Sequence, residues 1–384
     1  MRTLIVATSL GAALSACPLP AQTAPTATAE EMFRRWDKDG NGKLAPDEIP
    51  PGLRPNFERI YQDKDGFLSP AEQGEAHRRW LRNNAAKGNP PIQQPLPDGI
   101  EFKPDLPYAG TDNPRQKLDL YLPKKRATDK PLPVLVFIHG GAWQAGSKAQ
   151  GRGAVLRFLR TGEYAGVSVG YRLTDEAKWP AQIHDCKAAI RWIRAHAKEY
   201  GLDGNKIAVW GSSAGGHLVS MLGTSGGVAE LEGNLGPDTA QSSRVTCVIN
   251  FFGPEDFIAM VRQPSSMDRS RGDYPEAKLL GGTVQDKPGV AKAASPVTYA
   301  SPDDPPFLTA HGTKDPTVPF GQAEAIHEAL RKAGASSILI PMEGGGHGFQ
   351  SEELDQRLRS FLDRHLRGMA AEIPSTPIPV NARR

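Results

Sequence analysis

Ile207-Ala208-Val209-Trp210-Gly211-Ser212-Ser213-Ala214-Gly215-Gly216-His217-Leu218 is the stretch whose reading decides the fold. A short β-branched and aromatic run passes through Gly-x-Ser-x-Gly into a helix-forming segment that reaches Leu222. A strand that turns into a helix across this pattern is a nucleophile elbow. Small residues on both sides of Ser213 let the backbone double back on itself. The turn lifts the hydroxyl above a sheet, at the positive end of a helix. A serine held there can attack a carbonyl carbon. The pattern also describes a small-residue turn without chemistry, so its surroundings must decide.

Outward from the elbow, strands and helices alternate. Val134 to Ile138 is a continuous apolar run bounded by prolines and glycines, the pattern of a strand covered on both faces. Tyr164 to Val169 is a second such run. Pro180 opens a helix whose apolar positions Ile183, Cys186, Ile190, Ile193 and Ala197 recur at helical spacing until Gly201. Further strands are expected at Val245 to Phe252, Phe307 to Ala310 and Ile338 to Pro341. Helices are expected at Gln322 to Ala333 and Glu353 to Leu366. Such alternation predicts an α/β fold with a mostly parallel sheet, helices on both faces and sites at the carboxyl ends of strands.

A serine hydroxyl needs a base to take its proton, and the base needs a carboxylate to hold it. In this architecture acid and histidine follow the serine in that order, each after a later strand. Asp315 lies in His311-Gly312-Thr313-Lys314-Asp315-Pro316, after the Phe307 strand. His347 lies in Glu343-Gly344-Gly345-Gly346-His347-Gly348-Phe349, after the Ile338 strand. Asp303 and Asp304 precede their strand and are the weaker candidates. An oxyanion is best held by preset main-chain amides. His139-Gly140-Gly141-Ala142-Trp143 follows the first buried strand, and the expected donors are Gly141, Ala142 and Ala214. His139 is expected to brace that loop. Trp143 is expected at a substrate pocket, with a core position as the other reading.

HGGAW, WGSSAGGH, HGTKDPTVP and GGGHGF together resemble the α/β-hydrolase fold family. Within it they resemble bacterial feruloyl and acetyl xylan esterases and the hormone-sensitive-lipase group. The run from Tyr171 to Leu218, NFFGPEDF and SPVTYASPDDPPFLTAHG are similar to the former. The resemblance implies Ser213 as nucleophile, His347 as base and Asp315 as its partner. It also implies hydrolysis of short or aryl acyl esters through an acyl-enzyme. Lipase-group members often carry a third glycine where this chain has Ala142, which still offers an amide. Acetyl or feruloyl groups on plant polysaccharide are the expected substrates. An amidase of the arylformamidase type, a peptidase, or a calcium-dependent binding protein on a hydrolase scaffold are the alternatives.

The N-terminal part reads differently. Arg2 precedes an apolar run from Leu4 to Ala16 that ends in Leu14-Ser15-Ala16-Cys17. Residues 1–17 read as a signal segment resembling the lipobox of bacterial lipoproteins, and cleavage after Ala21 or Ala24 is the other reading. An exported protein is expected, anchored to the outer membrane by lipid or secreted. Residues 18–29 read as a tether, 30–82 as a small module, 83–97 as a linker, 98–367 as the main domain and 368–384 as a flexible tail. Asp37 to Glu48 matches a calcium loop of EF-hand type. Its ligands would be Asp37, Asp39, Asn41, the Lys43 carbonyl and Glu48. A second loop, Tyr61 to Glu72, keeps Asp63, Asp65 and Glu72 but has tyrosine at the first ligand position, so it reads as a weakened partner. Calcium is expected there and no cofactor in catalysis.

Composition narrows the rest. The chain has 384 residues, 39% of them hydrophobic, enough for one large domain and something small. Its formal charge of +3 is spread among acids, which argues against nucleic acid as a partner. Cys186 and Cys247 fall in different core elements and lack the spacing of a metal site.

Overall fold

The computed structural model describes residues 37–39, 41, 43–45, 48, 96–266, 269 and 272–380. The expected signal segment, tether and second calcium-type loop, with Asp63, Asp65 and Glu72, lie outside the described residues. The chain divides into two units, Met1–Pro91 and Ile92–Arg384. No helix among the described residues is long and apolar enough to cross a membrane.

The second unit is built on nine strands. They are β1 (Ile100–Pro107), β2 (Lys117–Pro123), β3 (Leu132–Ile138), β4 (Ala165–Val169), β5 (Leu202–Ser212), β6 (Cys247–Phe251), β7 (Phe307–Gly312), β8 (Ser337–Glu343) and β9 (Ile378–Pro379). Their order is β1-β2-β4-β3-β5-β6-β7-β8-β9. β2 runs antiparallel to β1 and β4, and every pairing from β4 to β9 is parallel. The mostly parallel sheet expected from the alternation is therefore present, extended by an antiparallel edge that the sequence reading missed.

Five longer helices cover the sheet: α1 (Gly151–Leu159), α2 (Ala181–Ala195), α3 (Ala214–Thr224), α4 (Gly321–Ala333) and α5 (Glu352–Arg367). Alternate strand residues feed two cores. Val134, Val136, Ile207, Val209 and Val248 join Ile183, Ile190, Leu218 and Ile326 on one face. Leu135, Phe137, Trp210, Ile249 and Phe251 join Phe158, Leu358 and Phe361 on the other. Cys186 and Cys247 are free and buried on opposite faces, and burial pushes both thiols up.

Chain order reverses around β3, which pairs with β4 on one side and β5 on the other. Connections leave in opposite directions there, and a crevice opens at the carboxyl ends. Ile138 pairs with Gly211, so the His139–Trp143 loop and the elbow emerge side by side.

The segments beyond α3 form short helices at Ala229–Glu232, Phe257–Met260, Pro275–Leu280 and Pro288–Ala293. Lys187 Nζ on α2 donates to Ser225 O (2.6 Å) and Glu232 Oε1 (2.7 Å), which ties the first of these down.

The tail expected to be flexible over 368–384 is instead docked in its described part, 368–380, a correction to the sequence reading. Ile378 pairs with Met342, Val380 N donates to Glu343 O (3.0 Å), and Ile378 sits in the core. Arg357 donates to Pro374 O (2.9 Å) and Thr376 O (2.6 Å). One buried isoleucine between prolines carries no periodicity, and the arginine that holds the segment is on another element.

Candidate active site

The elbow has the strain its sequence implies. Ser213 sits at φ 55°, ψ −122° between β5 and α3, a region in which a residue with a Cβ costs on the order of 1–3 kcal/mol. Two close approaches explain the flanking glycines. A Cβ on Gly211 would run into the Gly215 carbonyl oxygen, and one on Gly215 into that of Ile138. Ser213 N donates to Phe251 O (2.9 Å), and His217 N donates to Ser213 O (3.0 Å), so both ends of the turn are fastened.

The acid and histidine loops follow β7 and β8 and lie against each other. A Cβ on Gly312 would strike the carbonyl oxygens of Gly345 and Gly346. Lys314 N donates to Gly345 O (2.9 Å), and Gly344 N donates to Thr313 Oγ1 (2.9 Å). These contacts put His347 Nδ1 2.7 Å from Asp315 Oδ2 and His347 Nε2 3.0 Å from Ser213 Oγ. With Nδ1–H donating to the carboxylate, Nε2 is left to accept the serine proton. The three distant residues named in the sequence reading thus meet in one hydrogen-bonded line.

Asp315 is tuned by its neighbours. Burial alone would raise its carboxyl. Hydrogen bonds from His311 and His347, the charge of His347 and the Thr317 amide outweigh that and hold it well below the usual carboxylate range. Asp315 Oδ1 accepts from Thr317 N (2.8 Å) and Val318 N (3.0 Å). His311 was missed as a site residue. Its Nε2 lies 3.3 Å from Asp315 Oδ2 and donates to Val318 O (2.9 Å). Phe252, with its ring centroid 4.7 Å from that of His347, was missed too.

The loop after β3 supplies amides. Gln144 N and Ala145 N both donate to Gly141 O (3.0 Å each) and close a turn. The amides of Gly141, Ala142 and Ala214 have no acceptor among the described residues. Amides so placed can receive developing negative charge. His139 is buried, stacks on Tyr171 (4.2 Å, 11°) and donates from Nδ1 to Gly140 O (2.8 Å); Tyr171 Oη donates to His139 O (2.9 Å). The loop is braced as expected.

Trp143 requires a correction. Instead of lining a substrate pocket it is a core residue, 2% exposed, edge-on to His217 (5.3 Å) and Phe257 (5.7 Å). Ala142 and Trp143 both take positive φ (55° and 56°), and the indole lies in the hydrophobic core with Leu218 and Phe257.

Beneath the elbow lies a polar knot with no local sequence signal. Glu255 is fully buried and accepts at Oε1 from Asn250 Nδ2 (2.8 Å) and Ser220 Oγ (3.1 Å). Burial raises its carboxyl well above the ordinary value, against the pull of those two donors. His217 donates from Nε2 to Ala294 O (2.7 Å).

In the first unit, Asp37, Asp39 and Glu48 bring carboxylate oxygens within 4.8 Å of one another. Asn41 N donates to Asp37 Oδ1 and Asp39 Oδ1 (3.1 Å each), and Lys43 N donates to Asn41 Oδ1 (2.8 Å), curling the loop. Glu48 accepts from Lys38 N and Ala45 N (2.9 Å each). An all-oxygen donor set with an acidic twelfth position suits calcium.

Known proteins share this frame. The family model described as BD-FAE matches residues 118–330. Esterase LipC of Mycobacterium tuberculosis is 37% identical over 240 residues, 62% of this chain and 58% of that protein. The chain spans about three fifths of the length of the curated relatives it matches. A truncated carbohydrate esterase from gut microbiota superimposes with a TM-score of 0.66 at 31% identity, over 72% of this chain and all of that one. Thermogutta terrifontis esterase 2 phosphorylated by paraoxon gives 0.55 at 30%, over 72% and 98%. The fold is that of the α/β-hydrolases.

Burial lowers His139 and His217 from 6.5 to about 4. The unfolded chain takes up these protons as pH falls through about 6.5, whereas the folded chain resists until about 4. Stability is therefore full above about 6.5 and drains between there and 4, by about 3 kcal/mol per histidine at the acid end. Thermal unfolding followed from pH 7.5 to 4.5 should show Tm falling from near 6.5 downward; a flat profile would contradict the burial of both rings as neutral groups.

Proposed function

The chain belongs to the BD-FAE family, and we propose that it is a serine carboxylic ester hydrolase working through an acyl-enzyme. The observation that carries this is the unbroken line Ser213 Oγ–His347 Nε2–Asp315 Oδ2, at 3.0 and 2.7 Å, beside amides with no acceptor among the described residues. His347 Nε2 takes the hydroxyl proton as Ser213 Oγ attacks the ester carbonyl. The carbonyl oxygen gains negative charge and turns toward the amides of Gly141, Ala142 and Ala214. His347 passes its proton to the departing alkoxide, which leaves as an alcohol. Water then gives a proton to Nε2 as its oxygen bonds to the acyl carbon; the bond to Ser213 Oγ breaks, Nε2 returns the proton to Oγ, and the acid departs. Asp315 stays ionised throughout and fixes the imidazole.

Short or aryl acyl esters are the substrate class, including acyl groups carried by polysaccharide. The esterase and carbohydrate esterase names of LipC and the gut-microbiota structure support this reading. Calcium belongs to the first unit and is remote from this chemistry in role. Asp37, Asp39, Asn41, the Lys43 carbonyl and Glu48 would hold it, with order in the loop as its contribution.

Ser213→Ala should lower kcat on p-nitrophenyl acetate by at least about 10³-fold, and Asp315→Asn should lower it by about 10²–10⁴-fold. Undiminished turnover in the serine variant, or faster cleavage of a matched anilide than of the ester by the wild-type protein, would contradict the assignment. Calorimetry should show calcium uptake by the full chain that weakens at least tenfold in Glu48→Gln; no uptake, or uptake indifferent to that change, removes the calcium site.

A further inference from the structure

We infer that Glu255, held as a neutral acid beneath the elbow, is a positioning residue for Ser213. The role rests on the ester-hydrolase reading and adds to it a group that touches neither substrate nor triad.

The elbow is gripped from two neighbouring elements. β6 supplies Phe251 O, which accepts from Ser213 N (2.9 Å), and α3 supplies His217 N, which donates to Ser213 O (3.0 Å). The Glu255 carboxyl ties those elements together. Its Oε1 accepts from Asn250 Nδ2 on β6 (2.8 Å) and from Ser220 Oγ on α3 (3.1 Å). Asn250 is the register partner of Gly211, and Phe251 that of Ser212, so β6 offers the tie directly beside the turn. Asn250 Oδ1 accepts from Gly253 N (3.1 Å), which bends the chain back toward α3. The bonds close a ring from Ser213 N through Phe251, Asn250, Glu255 and Ser220 to α3 and back to Ser213 O. A residue in a strained conformation persists only where its surroundings over-determine it, and this ring does so at Ser213.

The carboxyl is itself fixed. Glu255 N and Asp256 N both donate to Oε1 of the buried Gln322 on α4 (2.8 Å each), and Glu255 O accepts from Val297 N (3.3 Å). A Cβ on Gly253 would strike Glu255 Oε1, His217 N and the Gly216 carbonyl carbon, so the carboxyl lies against the first turn of α3. That contact makes its charge matter. The first turn carries the Ala214 amide and the positive end of the helix. An ionised carboxylate there would oppose the negative charge that develops on the substrate oxygen. Glu255 is sealed from water, its Oε2 has no partner among the described residues, and no charged side chain among them acts on it. Its titratable neighbours bond elsewhere: His217 Nε2 to Ala294 O, and Asp256 Oδ1 to the amides of Ile258 and Ala259. The proton therefore stays on the acid, and the tie supplies geometry without charge.

The test uses the full chain, with rates referred to the folded fraction seen by near-UV circular dichroism. An infrared difference spectrum of wild type minus Glu255→Gln at neutral pH should show the carbonyl band of a protonated carboxylic acid; a carboxylate band in its place overturns the neutral acid. Glu255→Gln keeps the Oε1 acceptor and should keep kcat on p-nitrophenyl acetate. Glu255→Ala should lower kcat by about 10–10²-fold with KM unchanged. Ser220→Ala removes one donor, leaves the carboxyl in place and should lower kcat in the same sense; it decides the matter alone if Glu255→Ala does not fold. Wild-type kcat in Ser220→Ala and in any folded Glu255→Ala, an equal loss in Glu255→Gln and Glu255→Ala, or a change in KM alone overturns the positioning role. The rate at which diethyl p-nitrophenyl phosphate modifies Ser213 should follow the same order of variants. That order without turnover of any carboxylic ester sustains the positioning role and overturns the ester-hydrolase reading alone; an unmodified Ser213 in the wild type overturns both.

Discussion

One strained residue organises the rest. Ser213 is held at positive φ because β5 ends against β3 and α3 starts before the chain has room to relax. The cost of that conformation is small beside the burial of two hydrophobic cores, one on each sheet face, that fix β5 and α3. The hydroxyl is therefore placed by the sheet and not by its own loop. Anything that loosens β3 against β5 moves the Ser213 hydroxyl and the amides of Gly141 and Ala142 together, since Ile138 and Gly211 are partners in one register.

His347 reaches Ser213 by a second constraint of the same kind. The acid and histidine loops are stitched to each other by a main-chain bond and by the Thr313 hydroxyl, independently of Ser213. Asp315 takes two amides on Oδ1 and two imidazoles on Oδ2, which keeps it ionised although buried. The carboxylate can then orient His347 and stabilise the imidazolium without itself taking the proton. The buried Glu255 does the opposite: no cation among the described residues lies beside it, and burial holds it toward the neutral form.

Much of this was legible in the residues, and the reasons are local. The elbow, the acid loop and the histidine loop each lie directly after an apolar run, so sequence order alone put Ser213, Asp315 and His347 at strand ends. What escaped lacked a local signature. β1 and β2 precede the alternation, and β1 is largely exposed, so neither stood out. The orientation of Trp143 depends on two positive φ values that HGGAW does not declare. His311 and Glu255 look like ordinary polar loop residues; their meaning comes from partners such as Ser220, 35 positions away from Glu255. The docked tail depends on Arg357, a helix residue that reads as a surface charge.

The two units carry separate arguments: an oxygen-rich loop in one, a hydroxyl–imidazole–carboxylate line in the other. The second is open to a direct chemical reading. Exposure to diethyl p-nitrophenyl phosphate, followed by tryptic digestion and fragment mass spectrometry, locates any activated serine. The account predicts one diethylphosphoryl group, on Ser213 within the peptide Ile207–Arg244. No adduct, or an adduct on another serine with Ser213 untouched, would contradict it.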